Sequence, residues 1–187
     1  YISANDTYAK ANVHQAGPYI GKELLRTAFP ALATRAATEP NPDLVLPVEV
    51  VSHGDPSRPI RLVWYNSAVL EQRSTGRNEA RMTGWGGRKH PLVSEDATGS
   101  LAVFAFHQTV ASADADACDI WITTGLEEEE EVLSVVGSVE PGQSLLFRPT
   151  GSSFPWQISA NPCALRAEEI RPEWAREMPT GEDIVGM

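Results

Sequence analysis

Apolar residues in this chain fall into short runs separated by turn-forming residues, and few runs hold one period for long. Tyr1 to Ile20 is polar, small and without helical or alternating period, and reads as an extended arm. From Gly21 to Phe29, the residues Leu24, Leu25, Ala28 and Phe29 share one helical face. Pro30 ends that helix and a Thr/Ala/Pro linker follows. Leu44 to His53 predicts a strand, Gly54 to Pro59 a turn, and Ile60 to Ser67 a second strand, making a hairpin-like pair. Ser100 to Thr109 predicts an apolar, buried strand; Ala113 to Ala117 is a turn and Cys118 to Thr124 another strand. Leu126 to Gly137 reads as a helix whose glutamates sit near its N-terminus, where the dipole favours negative charge, with Gly137 as its cap. Glu140 to Pro149 reads as turn plus strand, Trp156 to Ala160 as one more strand, and Pro172 to Met178 as a short helix started by proline. A further helix begins at Thr180, and the chain stopping one turn into it suggests that the parent polypeptide continues. Many short strands with a few short helices predict a mainly β domain, a barrel or an α+β fold, as one unit over residues 1–187.

Composition narrows the class. The 187 residues suffice for one real core. No run of about 18 apolar residues exists, so no membrane span is expected. Nor is there a basic-then-apolar N-terminus, so no signal peptide is expected. Cys118 and Cys163 lack metal spacing and read as two cytosolic thiols. The net charge of −10 alone argues against nucleic acid, but it is unevenly spread. Residues 1–90 hold 11 Lys/Arg against 8 Asp/Glu, whereas residues 91–187 hold 4 against 17. Screening confines exposed charges to roughly 8 Å at physiological salt, so an acidic body can carry a basic cleft.

The strongest chemical signal is the stretch Arg73 to Lys89, which holds Arg73, Arg77, Arg81, Arg88 and Lys89 against a single acid, Glu79, together with four glycines. Arginine bonds two guanine acceptors, Asn78 has the groups to pair with adenine, and a glutamate accepts from the cytosine amino group. Glycines let a backbone approach a partner closely. An exposed basic hairpin tip is the plain alternative. Charge density, the Arg-Asn-Glu-x-Arg order, the glycines and Trp85 between them weigh toward recognition of DNA or RNA. His14 lies in the polar arm beside Asn12 and Gln15, where it serves either recognition or its own backbone. Other chemistry is weaker. Asp43, Glu49 and Val51 imitate a metal-nuclease core, but a valine stands where the lysine belongs. The histidines have no ligand spacing, and neither a Gly-x-Ser-x-Gly elbow nor a phosphate-binding Gly-Lys loop occurs. The run of glutamates from Glu127 fits a solvated helix start. No catalytic residue and no metal site is assigned.

Ser3 to Thr7 (SANDT), His14 to Ile20 (HQAGPYI), Tyr65 to Ser67 (YNS) and Gly76 to Gly86 (GRNEARMTGWG) resemble the N-terminal DNA-recognition domain of EcoRII-type restriction endonucleases. The likeness continues in order through Asp96 to Phe106, Ile120 to Ile122, Val139 to Gly142 and Pro172 to Ile184. The resemblance implies a B3-like DNA-binding pseudobarrel whose two arms enter the major groove. The implied N-arm comprises Ser3, Asp6, Thr7, Lys10, Asn12, His14, Gln15 and Tyr19, and the implied C-arm Arg73, Thr75, Arg77, Asn78, Glu79 and Arg81. Arg88 and Lys89 are candidate phosphate contacts. The implied target is CCWGG, W being A or T, in double-stranded DNA, read by an effector domain of a type IIE enzyme. On that likeness the domain needs no cofactor to bind DNA. The Mg-dependent cutting belongs to a C-terminal nuclease domain of the same polypeptide, in a prokaryotic cytoplasm. Thr75 and Ala80 stand where lysines are expected, so phosphate affinity is either lower here or supplied by Arg73, Arg88 and Lys89. Two other readings compete: a protein-interaction module using the acidic face, and a metal-dependent nuclease in its own right.

Overall fold

The computed structural model describes residues 1–10 and 16–147. Their centre is a six-stranded, mostly antiparallel sheet that curls into a half-barrel, a mainly β pseudobarrel with few short helices. The strands are β1 (Tyr19–Ile20), β2 (Asp43–Val50), β3 (Asp55–Tyr65), β4 (Glu79–Thr83), β5 (Ala102–His107) and β6 (Ala117–Ile122), in the order β1-β4-β3-β2-β6-β5. Only β2 and β6 run parallel. The helices are α1 (Lys22–Ala28), α2 (Pro30–Arg35), α3 (Ser67–Leu70) and α4 (Leu126–Val136).

The period-two pattern decides which side faces the core. Leu46, Val48 and Val50 of β2, Ile60, Leu62 and Trp64 of β3, Ala80 and Met82 of β4, and Cys118, Ile120 and Ile122 of β6 all point inward. Leu25 of α1, Phe29 between the helices and Leu32 of α2 close that side. Burial pushes the Cys118 thiol far above its ordinary pKa, so it stays protonated and inert.

The elements depart from the sequence pattern in four places. Pro30 ends α1 but also occupies the first turn of α2, where the linker was expected; a proline there loses no hydrogen bond. The start of α2 is capped from afar by Asp114, whose carboxylate accepts from the Ala31 and Leu32 amides at 2.7 and 3.1 Å. Strand β3 already begins at Asp55, inside the expected turn, because Gly54 alone supplies the left-handed residue (φ 60°). Pro47 and Pro59 face each other in the β2/β3 register, a pair in which neither proline has to donate. Strand β5 lies at the sheet edge and is half-exposed instead of buried. Residues 140–147 hold no strand. The expected strand at 156–160 and the helices after 172 lie outside the described residues.

The Tyr65-Asn66-Ser67 motif is a joint. Buried Asn66 donates to the carbonyls of Ala36 and Glu39 at 2.7 and 3.1 Å, and its Oδ1 accepts from the Asn41 amide at 2.6 Å. Asn41 Oδ1 in turn accepts from the Asn66 and Ser67 amides at 3.0 and 3.2 Å. Thus the end of α2 is fixed to the end of β3, from which α3 and the basic segment depart.

Candidate nucleic-acid interface

The basic stretch is only partly a loop. Residues 71–78 are exposed, but Glu79 to Thr83 form β4, a strand held between β1 and β3. Alternation therefore sends Ala80 and Met82 into the core and leaves Glu79 and Arg81 on the opposite face. Tyr19, 45% exposed, is the register partner of Arg81, and Tyr65 that of Glu79. The Arg77 guanidinium lies 5.7 Å from the centre of the Tyr65 ring. Arg77, Glu79, Arg81, Tyr19 and Tyr65 thus gather on one side of a rigid strand pair.

The N-terminal segment and the basic segment are stitched together at β4. The Met82 amide donates to the Pro18 carbonyl at 3.1 Å, and Arg81 Nη1 donates to the Gly17 carbonyl at 3.1 Å. At Gly17 a Cβ would lie 2.0 Å from the Met82 carbonyl oxygen, so only glycine allows this approach. Gly76 plays the same part for the basic segment: its Cβ would lie 2.1 Å from that of Ala68 in α3. Both glycines serve close contacts within the protein.

The expected arm residues that fall among the described ones have definite places. Ser3 donates its amide and hydroxyl to Asp6 Oδ2 at 3.1 and 2.6 Å. Asp6 is buried, and its Oδ1 lies 3.7 Å from Arg81 Nη1. Thr7 is fully buried, its hydroxyl 2.7 Å from that of Thr98, so it supports the arm from inside. Lys10 is exposed and donates to Asn5 at 2.6 Å. Asn12, His14 and Gln15 lie outside the described residues. Arg73 pairs with Glu71 at 2.8 Å and Thr75 is exposed. Asn78 Oδ1 accepts from Trp64 Nε1 at 3.0 Å; since an indole only donates, the Asn78 amide nitrogen keeps its two donors for another acceptor. Glu79 accepts from Arg81 Nε at 2.9 Å and lies 3.9 Å from Arg77 Nε. Arg88 stacks 5.0 Å from the Tyr8 ring centre, and Lys89 beside it is exposed.

Trp85, weighed above toward recognition, is buried and donates to the Met82 carbonyl at 2.9 Å. Its ring packs 4.9 Å from that of His90, which sequence reasoning missed because its charged partner Asp55 is distant in the chain. His90 Nδ1 accepts from the Leu92 amide at 3.2 Å, so the neutral ring carries its proton on Nε2, 3.1 Å from Asp55 Oδ2. Asp55 also holds Arg58 at 2.7 Å. Burial lowers the His90 pKa, against the opposing pull of Asp55 and with a smaller push from Arg58. A depressed histidine pKa makes the unfolded chain take the proton first, so its stability contribution is present above about pH 6.5 and is lost as pH falls through the folded value. The urea midpoint of the wild-type domain should fall between pH 7.5 and 5.5 and that of His90→Gln should fall less; equal slopes would sink this assignment.

The nuclease-like carboxylates do not converge. Asp43 pairs with Arg61 at 2.5 Å, and Glu49 lies six residues along the same strand, about 20 Å away at 3.3 Å per residue. One metal ion cannot hold both. Among the described residues no group of three acidic, histidine or cysteine side chains is placed to hold a metal, and no helix is long and apolar enough to cross a membrane.

A family model described as "Restriction endonuclease EcoRII, N-terminal" matches residues 1–151. The "Type II restriction enzyme EcoRII" of Escherichia coli is 31% identical over 185 residues, which is 98% of this chain and 44% of that protein. The chain thus spans less than half the length of this relative. The match takes in β1, β4 and the whole described sheet, and the chain belongs to the EcoRII N-terminal family of restriction endonuclease domains.

Proposed function

We infer that this domain binds double-stranded DNA sequence-specifically, at CCWGG, as the effector or targeting module of a type IIE restriction endonuclease. The observation that carries the reading is the joining of the two arm roots on β4, with Arg77, Glu79, Arg81 and Tyr19 on one face. A strand pair has the right width for the major groove, where arginine, asparagine and glutamate distinguish the base pairs. Arg73, Arg88, Lys89 and Lys10 are exposed and suit phosphates. Thr7 supports the arm without touching DNA. Binding through these groups needs no cofactor. Strand cleavage, with Mg²⁺, is left to a C-terminal nuclease domain of the same polypeptide, as the greater length of the relative suggests.

The domain should shift a CCWGG duplex in the presence of competitor DNA, shift a one-base variant far less, and cut neither when Mg²⁺ is added. Equal binding to both duplexes would remove the sequence specificity, and DNA binding too weak to show a salt dependence would favour an acidic-face protein module. Cleavage that survives repurification and vanishes with Glu49→Ala would make the fragment a nuclease.

A further inference from the structure

Asp6 carries an unexplained feature. It is only 9% exposed, and Ser3 occupies one of its oxygens with two hydrogen bonds. The other oxygen, Oδ1, is buried without a hydrogen-bond partner among the described residues. A buried carboxylate oxygen left without a donor is costly, and such a group calls for a reason. Its neighbour is Arg81 Nη1 at 3.7 Å, about 0.8 Å beyond good hydrogen-bond distance. Arg81, its side chain only 20% exposed, gives its Nε to Glu79 at 2.9 Å. One guanidinium therefore lies between two carboxylates and is bonded to one of them.

We propose that Asp6 is a positioning residue for DNA reading, taking over Arg81 when Glu79 turns toward a base. This rests on the DNA-binding reading above. A Glu79 side chain that moves outward to accept from a cytosine amino group carries its Oε1 away from Arg81 Nε. A largely buried guanidinium cannot be left without a counter-charge. A small shift of Arg81 brings Nη1 onto Asp6 Oδ1, while the same nitrogen stays near the Gly17 carbonyl. Ser3 holds Asp6 in the N-terminal turn, so the exchange keeps the root of the N-arm on β4 as Glu79 leaves. In this arrangement the free oxygen of Asp6 is a place kept ready for the bound state.

A double-mutant cycle in duplex binding tests this. Asp6→Asn should weaken cognate binding about tenfold or more, the scale of one charge-assisted hydrogen bond. Non-cognate binding should hold level or rise, because a negative charge has gone. In an Arg81→Ala background, Asp6→Asn should have no further effect. Equal losses with and without Arg81, or equal losses on cognate and non-cognate duplex, overturn the proposal and leave Asp6 a structural turn residue. If the wild-type domain fails to discriminate at all, the DNA-binding reading falls first, and that is seen before any variant is made. Should Asp6→Asn not fold, the Asp6 side-chain carboxyl resonance of the wild-type protein decides. A shift on adding cognate but not non-cognate duplex supports the exchange, and an unmoved signal overturns it.

Discussion

Gly17→Ala is expected to cost about 1–3 kcal/mol of folding stability, the usual price of forcing a methyl into a closed contact. The added carbon would stand 2.0 Å from the Met82 carbonyl oxygen, a backbone atom in a paired strand that cannot yield as a flexible side chain would. Relief must come from the N-terminal segment, which breaks the Met82–Pro18 and Arg81–Gly17 bonds and the pairing of β1 with β4. Because the N-arm hangs from this root, cognate binding should fall further than stability alone accounts for, and non-cognate binding should change little. Urea unfolding and duplex titration on the same protein check both halves. A variant as stable as wild type would mean that the arm root does not sit against β4 in solution.

Arg77→Ala and Arg88→Ala should separate reading from positioning. Arg77 is the most open guanidinium of the strand face, its side chain 66% exposed and braced only by the Tyr65 ring and a long contact to Glu79. As a bidentate guanine reader it should lose roughly 1–3 kcal/mol of cognate affinity on truncation and relax discrimination at one base pair. Arg88 lies off that face, over Tyr8, and its loss should weaken all duplexes alike and lower the salt slope by about one. An unchanged cognate to non-cognate ratio for Arg77→Ala would make the basic segment a phosphate clamp.

Much of this was legible along the chain, for stated reasons. Strands β2, β3 and β6 announce themselves because their inward residues alternate strictly or form an unbroken apolar run. The acidic start and glycine end of α4 follow helix-end chemistry that is local by nature. The basic island was visible because its charge opposes that of the whole chain. What stayed hidden depends on residues far apart. The cap of α2 comes from Asp114, more than eighty positions away. That Glu79 and Arg81 lie on a strand follows from pairing of Glu79 with Tyr65 and of Arg81 with Tyr19 and Val63, which no period within five residues reveals. Thr7 and Trp85 looked like parts of a contact surface, yet they pack inside, because polar and aromatic residues serve both ends equally well in composition, and exposed Gly76 serves a close approach to Ala68.

The central claim is that the β4 face reads bases, and Glu79 tests it most directly. In the free protein its carboxylate pairs with Arg81 and stands near Arg77, so an orienting role is the rival account. A carboxylate facing DNA is repelled by phosphates and gains affinity only by accepting a hydrogen bond from a base. The decisive measurement is the affinity of wild type, Glu79→Gln and Glu79→Ala for CCWGG and for every single-base variant of it. Base reading predicts that Glu79→Ala loses discrimination at one C·G pair, that Glu79→Gln is intermediate, and that non-specific binding holds level or rises. A loss spread uniformly over all positions would contradict it.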